Sequence, residues 1–190
     1  MKQLLAISIV LGICTAIPIM AQAPADSAKA PKQVVEEFLA METQGGRLTA
    51  EGWAKADGFF VHPVPMPHEK RVVVVSKDYS VYEVSVKEDR AEVYNDFEDL
   101  GSIDSALRYT APPSGFLETT TVYHLVTLDR SNSSAGKAKS SEWKITEPAS
   151  TLWLNVETAI RYVAARRDKT TNPAIRKNAD RTLAILRRHH

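Results

Sequence analysis

Two stretches rich in β-branched and aromatic residues, 119–128 and 142–146, constrain the fold more than any other feature of the chain. Such residue types favour β-strands. The low-complexity polar run at 131–140 lies between them and is typical of a loop. The two stretches therefore predict a long antiparallel hairpin, and the rest of the chain is expected to pack against the sheet that contains it.

Helices are expected on both sides of these strands. Pro31 is typical of the first residue of a helix and predicts one over 31–43. Thr49 is a good cap for a second helix. After the hairpin, the apolar spacing predicts a helix over 155–167 and a final helix capped by Asn172.

Three further strands are predicted before the hairpin, over 72–75, 79–86 and 90–97. The pattern fails over 99–115, which we interpret as a loop that could cover a site. Pro148 is expected to end the last strand. Strands and helices are thus segregated along the chain, which predicts an α+β fold with an antiparallel sheet.

The N-terminus resembles a targeting segment. Lys2 precedes an almost unbroken apolar run over 4–20, and the small residue Ala21 follows it. This layout predicts a signal peptide over 1–21 and hence a secreted or periplasmic protein. Residues 22–30 are small and polar and are expected to form a flexible tether.

Charge is unevenly distributed, although the net charge of the chain is only +1. Residues 158–190 contain nine Lys or Arg and two Asp, a net charge of +7. Residues 83–104 contain eight acids and two bases, a net charge of −6. The basic helices are either solvated faces or a docking surface for an acidic partner. Secretion argues against a nucleic-acid partner.

Two leading helices, a meandering sheet and a final hairpin strand containing Trp143-Lys144-Ile145 resemble the NTF2-like (SnoaL-like) superfamily. The resemblance implies that a curved sheet wraps the leading helices into a cone with a pocket at its open end. It implies an NTF2-like domain over 31–147, with 148–190 as a C-terminal helical extension. It also implies a homodimer formed through the outer face of the sheet. Family members with isomerase or cyclase activity place an Asp/His or Asp/Tyr pair in the pocket.

The register of the hairpin decides the surroundings of His124, the first candidate for chemistry. If Val126 lies opposite Ile145, His124 shares a face with Ile145, because opposite residues of an antiparallel pair point to the same side. If Leu125 lies opposite Ile145, Tyr123 takes that place. Hydrophobicity favours neither register.

Other candidates lie on the strands and helices around it. Tyr94 and Asp96 alternate with apolar residues on one strand, so they either line a polar pocket or face solvent. Tyr82, Trp53 and Trp143 could contact a ligand, although the pattern favours a core position for each. The full set of candidate ligand-binding residues is Trp53, Tyr82, Tyr94, His124 and Trp143.

The sequence supports a binding protein first. We expect it to bind a small apolar or aromatic ligand, or a protein partner. The rival hypothesis is a SnoaL-type enzyme that abstracts a proton, or hydrates its substrate, with His124 and either Asp96 or Tyr94. No cofactor is expected. No metal is expected either, because His62 and His68 lie on a proline-rich segment without further ligand spacing.

Overall fold

The computed structural model describes residues 29–64, 72–112, 117–129, 141–148 and 150–190. These described residues form four α-helices, one short 3-10 helix and six strands. In chain order they are α1 (Pro31–Thr43), the 3-10 helix (Gly46–Leu48), α2 (Ala50–Asp57), β1 (Val73–Lys87), β2 (Arg90–Ile103), β3 (Tyr109–Thr110), β4 (Leu117–Asp129), β5 (Ser141–Glu147), β6 (Leu152–Asn155), α3 (Val156–Lys169) and α4 (Pro173–Leu186). The expected signal peptide and the hairpin loop at 131–140 lie outside the described residues.

All the described strands belong to one sheet. Its order is β5-β4-β2-β1-β6, and β3 pairs with β2 outside that path. The sheet is curled into a half-barrel. The α+β class is therefore confirmed, but the expectation of a wholly antiparallel sheet is wrong, because β6 runs parallel to β1.

Strand β6 was not predicted. The range 148–190 was expected to be helical, yet it contributes this strand before α3 begins. Leu152, Trp153 and Leu154 are all buried, so the strand has no alternation of apolar and polar residues. A short parallel strand covered on both faces commonly lacks that signal.

The first two predicted strands are one strand. Residues 73–75 and 79–86 both fall in β1, and Val72 precedes it. The pairing of β1 with β2 shifts register between Val75 and Ser76, between Ser76 and Tyr79 and between Val81 and Glu83. Bulges of this kind break the alternation on which the prediction relied. Strand β2 also extends into the region 99–115, which was expected to be a loop, and ends at Ile103, and the short β3 lies in the same region.

The helix starts were predicted to within one residue, and the two expected capping residues, Thr49 and Asn172, act as caps. The Thr49 side chain accepts a hydrogen bond from the amide of Gly52 at 3.0 Å. Asn155 and Asn172 cap α3 and α4 in the same way. Gly52 weakens α2 as a helix former, but a Cβ there would lie 1.7 Å from the Gly46 carbonyl oxygen. The close approach of the 3-10 helix therefore requires glycine.

Two apolar clusters hold the layers together. The first joins α1 to the concave face of the sheet through Val34, Val35, Phe38, Leu39, Phe60, Ala91, Val93, Phe97, Tyr123, Leu125, Ile145 and Trp153. The second joins α2, α3 and α4 to the start of β1, the end of β2 and β6 through Trp53, Val73, Val75, Leu100, Ile103, Leu107, Leu152, Leu154, Val156, Ala159, Val163, Ala179, Leu183 and Leu186. The C-terminal helices are thus part of the core. Within the described ranges, no helix is both long and apolar enough to span a membrane.

Candidate functional site

A cleft of about 460 Å³ opens where β4 extends beyond β5. Strand β5 pairs with β4 only from His124 to Asp129. The preceding half of β4 therefore forms one wall, and Pro148 and Thr151, between β5 and β6, form another. The lining residues are Phe38, Arg47, Thr119, Thr120, Thr121, Val122, Tyr123, His124, Glu147, Pro148, Thr151 and Trp153.

Aromatic rings form the floor of this cleft. Phe38 and Tyr123 meet nearly edge to face, with ring centroids 6.0 Å apart. The Trp153 ring stacks on Phe97, with centroids 3.7 Å apart. Phe38, Tyr123 and Trp153 line the cleft, and Phe97 lies behind Trp153. Because the three lining rings belong to α1, β4 and β6, the floor exists only after these elements have packed together. Such a floor can hold an apolar or aromatic group.

A buried ion pair supports the floor. Glu42 and Arg47 are 1% and 2% exposed, and Arg47 Nε and Nη2 donate to the two carboxylate oxygens, each at 2.7 Å. Arg47 Nη2 also donates to the Thr151 carbonyl oxygen at 2.6 Å, and Glu42 Oε1 accepts from the Trp153 amide at 3.2 Å. The guanidinium lies 5.4 Å from the Phe38 ring centroid. The pair therefore fixes α1, the 3-10 helix and β6 relative to one another.

The Tyr123 hydroxyl is shielded from water at the same place. Burial, followed by the negative charge of Glu42, raises the pKa of Tyr123 well above its ordinary value. The residue is therefore a neutral phenol throughout the physiological range. A neutral phenol cannot act as a base near neutral pH.

Asn95 adds a polar group without a partner. Its side chain is fully buried on the concave face, and within the described residues neither its amide nitrogen nor its oxygen has a hydrogen-bond partner. Asn95 lies directly opposite Thr121, which lines the cleft. A buried, unpaired amide usually lowers the stability of a folded protein by about 1–3 kcal/mol, so an unpaired Asn95 beside the cleft destabilises the fold by about that amount.

The structure selects the second of the two hairpin registers. Leu125 lies opposite Ile145, and Thr127 lies opposite Trp143. Tyr123 therefore shares the concave face with Ile145, and both are buried. His124 points to the convex face, away from the aromatic floor.

The three residues of the enzyme hypothesis lie on this convex face. His124 pairs with Glu92, and its Nδ1 lies 3.6 Å from Glu92 Oε1. Tyr94 donates a hydrogen bond to the other Glu92 oxygen at 3.2 Å. Asp96 instead accepts from the Thr120 hydroxyl at 2.6 Å. Glu92 lies directly opposite His124, and Asp96 lies four residues further along β2. Four residues of a strand span about 13 Å, so Asp96 is about that far from His124. His124 and Asp96 are thus too far apart to share one substrate atom.

The remaining predicted ligand-binding residues are dispersed. Trp53 is buried, and its indole N–H donates to the Val64 carbonyl oxygen at 2.6 Å. Tyr82 is 51% exposed on the convex face, where its ring lies 6.4 Å from that of Tyr94. Trp143 is partly buried against the concave-face cluster. None of these three lines the cleft.

The basic surface of α3 and α4 is partly neutralised within the chain. Arg161 pairs with Glu157, and Arg167 pairs with Asp180. Arg166 donates to the Tyr162 hydroxyl oxygen. These pairs offset part of the positive charge on the two helices, so the surface there is less positive than the net charge of +7 over residues 158–190 indicates.

Sequence reasoning missed the residues that build the cleft. The sequence patterns give no functional signal for Phe38, Arg47 or Trp153, all of which line the cleft. One available signal was the run Thr119-Thr120-Thr121, since successive hydroxyls on a strand give polar groups to both faces. The contacts of Arg47 and Trp153 span more than 100 residues of sequence and have no local signature.

Comparisons with protein-family models, curated proteins and solved structures found no match to this chain. Within the described ranges, no group of three or more His, Cys, Asp or Glu side chains is arranged to hold a metal ion. Any functional assignment therefore depends on the cleft itself.

Proposed function

We propose that this protein is a binding protein whose cleft takes a small apolar or aromatic ligand. One observation carries the proposal, namely that an aromatic floor and a row of threonines meet in one cleft. The volume of about 460 Å³ falls in the usual range for small-molecule sites, about 300–1,000 Å³. The resemblance to the NTF2-like superfamily supports a pocket at this end of a cone.

The chemistry of the lining favours binding over catalysis. Arg47 already pairs with Glu42, and Tyr123 stays neutral near physiological pH. His124 and Glu147 are the other ionisable groups on the lining, but the His124 side chain belongs to the convex face, beside Glu92. Thr119 and Thr121 share the face of the sheet that carries the floor, whereas the Thr120 hydroxyl donates to Asp96 on the opposite face. We therefore assign the Thr119 and Thr121 hydroxyls to orientation of the ligand and the rings to its affinity. The predicted signal peptide would place this binding outside the cytoplasm.

A neutral fluorescent probe, N-phenyl-1-naphthylamine, tests the proposal directly. Its emission rises in apolar surroundings, and we expect saturable binding to the wild-type chain. The variant Thr121→Phe places a ring in the cleft and should weaken probe binding at least about tenfold, because it occupies the volume that the probe requires. Circular dichroism and thermal unfolding establish that the variant is folded.

Two matched variants show where the probe binds. Thr110→Phe adds the same ring at an exposed strand threonine away from the cleft, and it should leave binding unchanged. Tyr82→Ser removes the most exposed aromatic group of the convex face and should also have no effect. Equal binding by wild type and Thr121→Phe, or loss of binding in Tyr82→Ser, would refute the cleft as the site.

A further inference from the structure

The edge of β4 that borders the cleft has no partner strand within the described residues. Strand β2 pairs with β4 along residues 117–126, whereas β5 begins to pair only at His124. Residues 118–122 therefore present one side of their backbone to the cleft. A row of unpaired N–H and C=O groups of this kind is a template for another strand.

Hydrogen bonds elsewhere in the sheet show which residues turn their backbone groups to this edge. The Ile145 amide donates to the Phe59 carbonyl oxygen at 2.8 Å, so the backbone groups of Ile145 point away from β4. Leu125, directly opposite, therefore directs its own groups to β2, because paired residues of an antiparallel ladder either exchange both hydrogen bonds or none. The Thr127 amide confirms this alternation, since it donates to Asp89 on the β2 side at 2.9 Å.

Residues at even positions consequently face the open edge. His124 fits this pattern, because its carbonyl oxygen accepts from the Thr146 hydroxyl on the β5 side at 3.0 Å. By the same alternation, Glu118, Thr120 and Val122 direct both their N–H and C=O groups to the cleft. Within the described residues, no backbone hydrogen bond reaches these groups on that side.

We propose that the cleft binds an extended peptide segment of a partner protein, which adds to the sheet beside residues 118–122 in line with β5. This inference rests on the proposed function, because it identifies how the apolar group is presented to the aromatic floor. Main-chain hydrogen bonds to Glu118, Thr120 and Val122 supply sequence-independent affinity. Alternate side chains of the peptide point inward, beside Thr119 and Thr121, and the floor selects an apolar or aromatic residue there.

Charge at the two ends of the open edge defines the peptide further. Glu118 lies at one end and Glu147 at the other, and both are exposed. Neither carboxylate has an ion-pair partner within the described residues. Glu118 also lies opposite Glu98 on β2, whose carboxylate is paired with Lys77 at 3.0 Å. A peptide with a basic residue at each end and apolar residues between them complements this pattern.

The capped hexapeptide Lys-Val-Phe-Thr-Leu-Lys is a suitable probe. In an antiparallel arrangement its Phe and Leu lie opposite Thr121 and Thr119, and its last Lys lies opposite Glu118. Its threonine would exchange two hydrogen bonds with Thr120. Binding is measured by fluorescence anisotropy of a labelled copy. N-methylation of that threonine removes one donor and obstructs the edge, so it should weaken binding at least about tenfold.

The decisive variant in the protein is Thr120→Pro. Proline removes the N–H that points to the open edge, yet it leaves the hydrogen bonds to β2 in place, as edge positions tolerate. We expect an affinity loss of at least about tenfold for the peptide and no change for N-phenyl-1-naphthylamine. Thr120→Val is the matched control, because it removes the hydroxyl but retains the backbone donor, and it should bind the peptide normally.

The outcomes separate this inference from the proposed function. If the fluorescent probe does not bind the wild-type chain, the proposed function fails. If the probe binds but the peptide does not, or if Thr120→Pro and N-methylation leave peptide affinity unchanged, the strand-addition inference alone fails. Sedimentation of the wild-type chain as a dimer that Thr120→Pro dissociates would assign the edge to a second copy, and would overturn the assignment to a partner peptide. Circular dichroism and the unchanged probe affinity establish that Thr120→Pro is folded.

Discussion

Replacement of Arg47 by methionine removes one half of a buried ion pair and leaves the other half in place. Methionine keeps much of the apolar contact with Phe38 and Trp53, whose ring centroids lie 5.4 and 5.1 Å from the guanidinium. The charge-assisted bonds to Glu42 and the bond to the Thr151 carbonyl oxygen are lost. The Glu42 carboxylate, only 1% exposed, still accepts from the Trp153 amide but has lost its counter-charge.

The expected loss is large because the remaining charge is buried. Removal of one partner from a buried pair typically destabilises a protein by about 3–5 kcal/mol. Domains of this size have a total stability of about 5–15 kcal/mol, so the variant should remain folded but be fragile. At about 2–4 °C per kcal/mol, the midpoint of thermal unfolding should fall by about 10 °C.

Urea unfolding followed by tryptophan fluorescence measures this loss at equilibrium. The double variant Glu42→Gln/Arg47→Met carries no buried charge, and it should recover at least about 2 kcal/mol relative to the sum of the two single variants. Arg161→Met is the matched control, because it breaks an exposed pair with Glu157 on α3 and should have little effect. A loss below about 1 kcal/mol for Arg47→Met, or strict additivity in the double variant, would refute the reasoning.

Two further predictions concern residues near the cleft. Asn95→Leu removes a buried amide whose two polar atoms lack partners within the described residues. It should therefore raise the free energy of unfolding, measured by urea titration, by about 1–2 kcal/mol. A decrease would show that the amide is paired in the folded protein. Burial raises the pKa of Asp99 above its ordinary value of 3.8, despite the hydrogen bonds it accepts from Gly101 and Thr119. Its contribution to stability is therefore fully present below the unfolded pKa and is lost as pH rises through the folded pKa. Relative to Asp99→Asn, the wild type should gain stability as pH falls from 7 to about 3, and a pH-independent difference would contradict this assignment.

Local chemistry made the helices predictable. Pro31, Thr49, Asn155 and Asn172 each satisfy or replace backbone donors at a helix start, so the first turn is determined by the adjacent sequence alone. These features do not depend on distant parts of the chain.

Long-range pairing limited the rest of the prediction. The bulges in β1 reverse the alternation of its side chains, and Leu152-Trp153-Leu154 lacks any alternation. The hairpin register depended on which face the helices cover, and no residue of the hairpin determines that choice. The cleft joins α1, the 3-10 helix, β4 and β6, so its composition could not be read from any one stretch.

The position of β6 has a consequence for how the chain acquires its structure. The partner of the first long strand, at residues 73–76, is made about 80 residues later, at 152–155. During synthesis β1 and β2 emerge from the ribosome before β6 exists. Until β6 is made, the edge of β1 at residues 73–76 has no partner strand, and the apolar side chains there stay exposed. A fragment cut at residue 147 would keep the whole β4–β5 hairpin but lack this neighbour and the Trp153 ring. Such a fragment should aggregate, and expression trials are better begun with chains that retain α3 and α4.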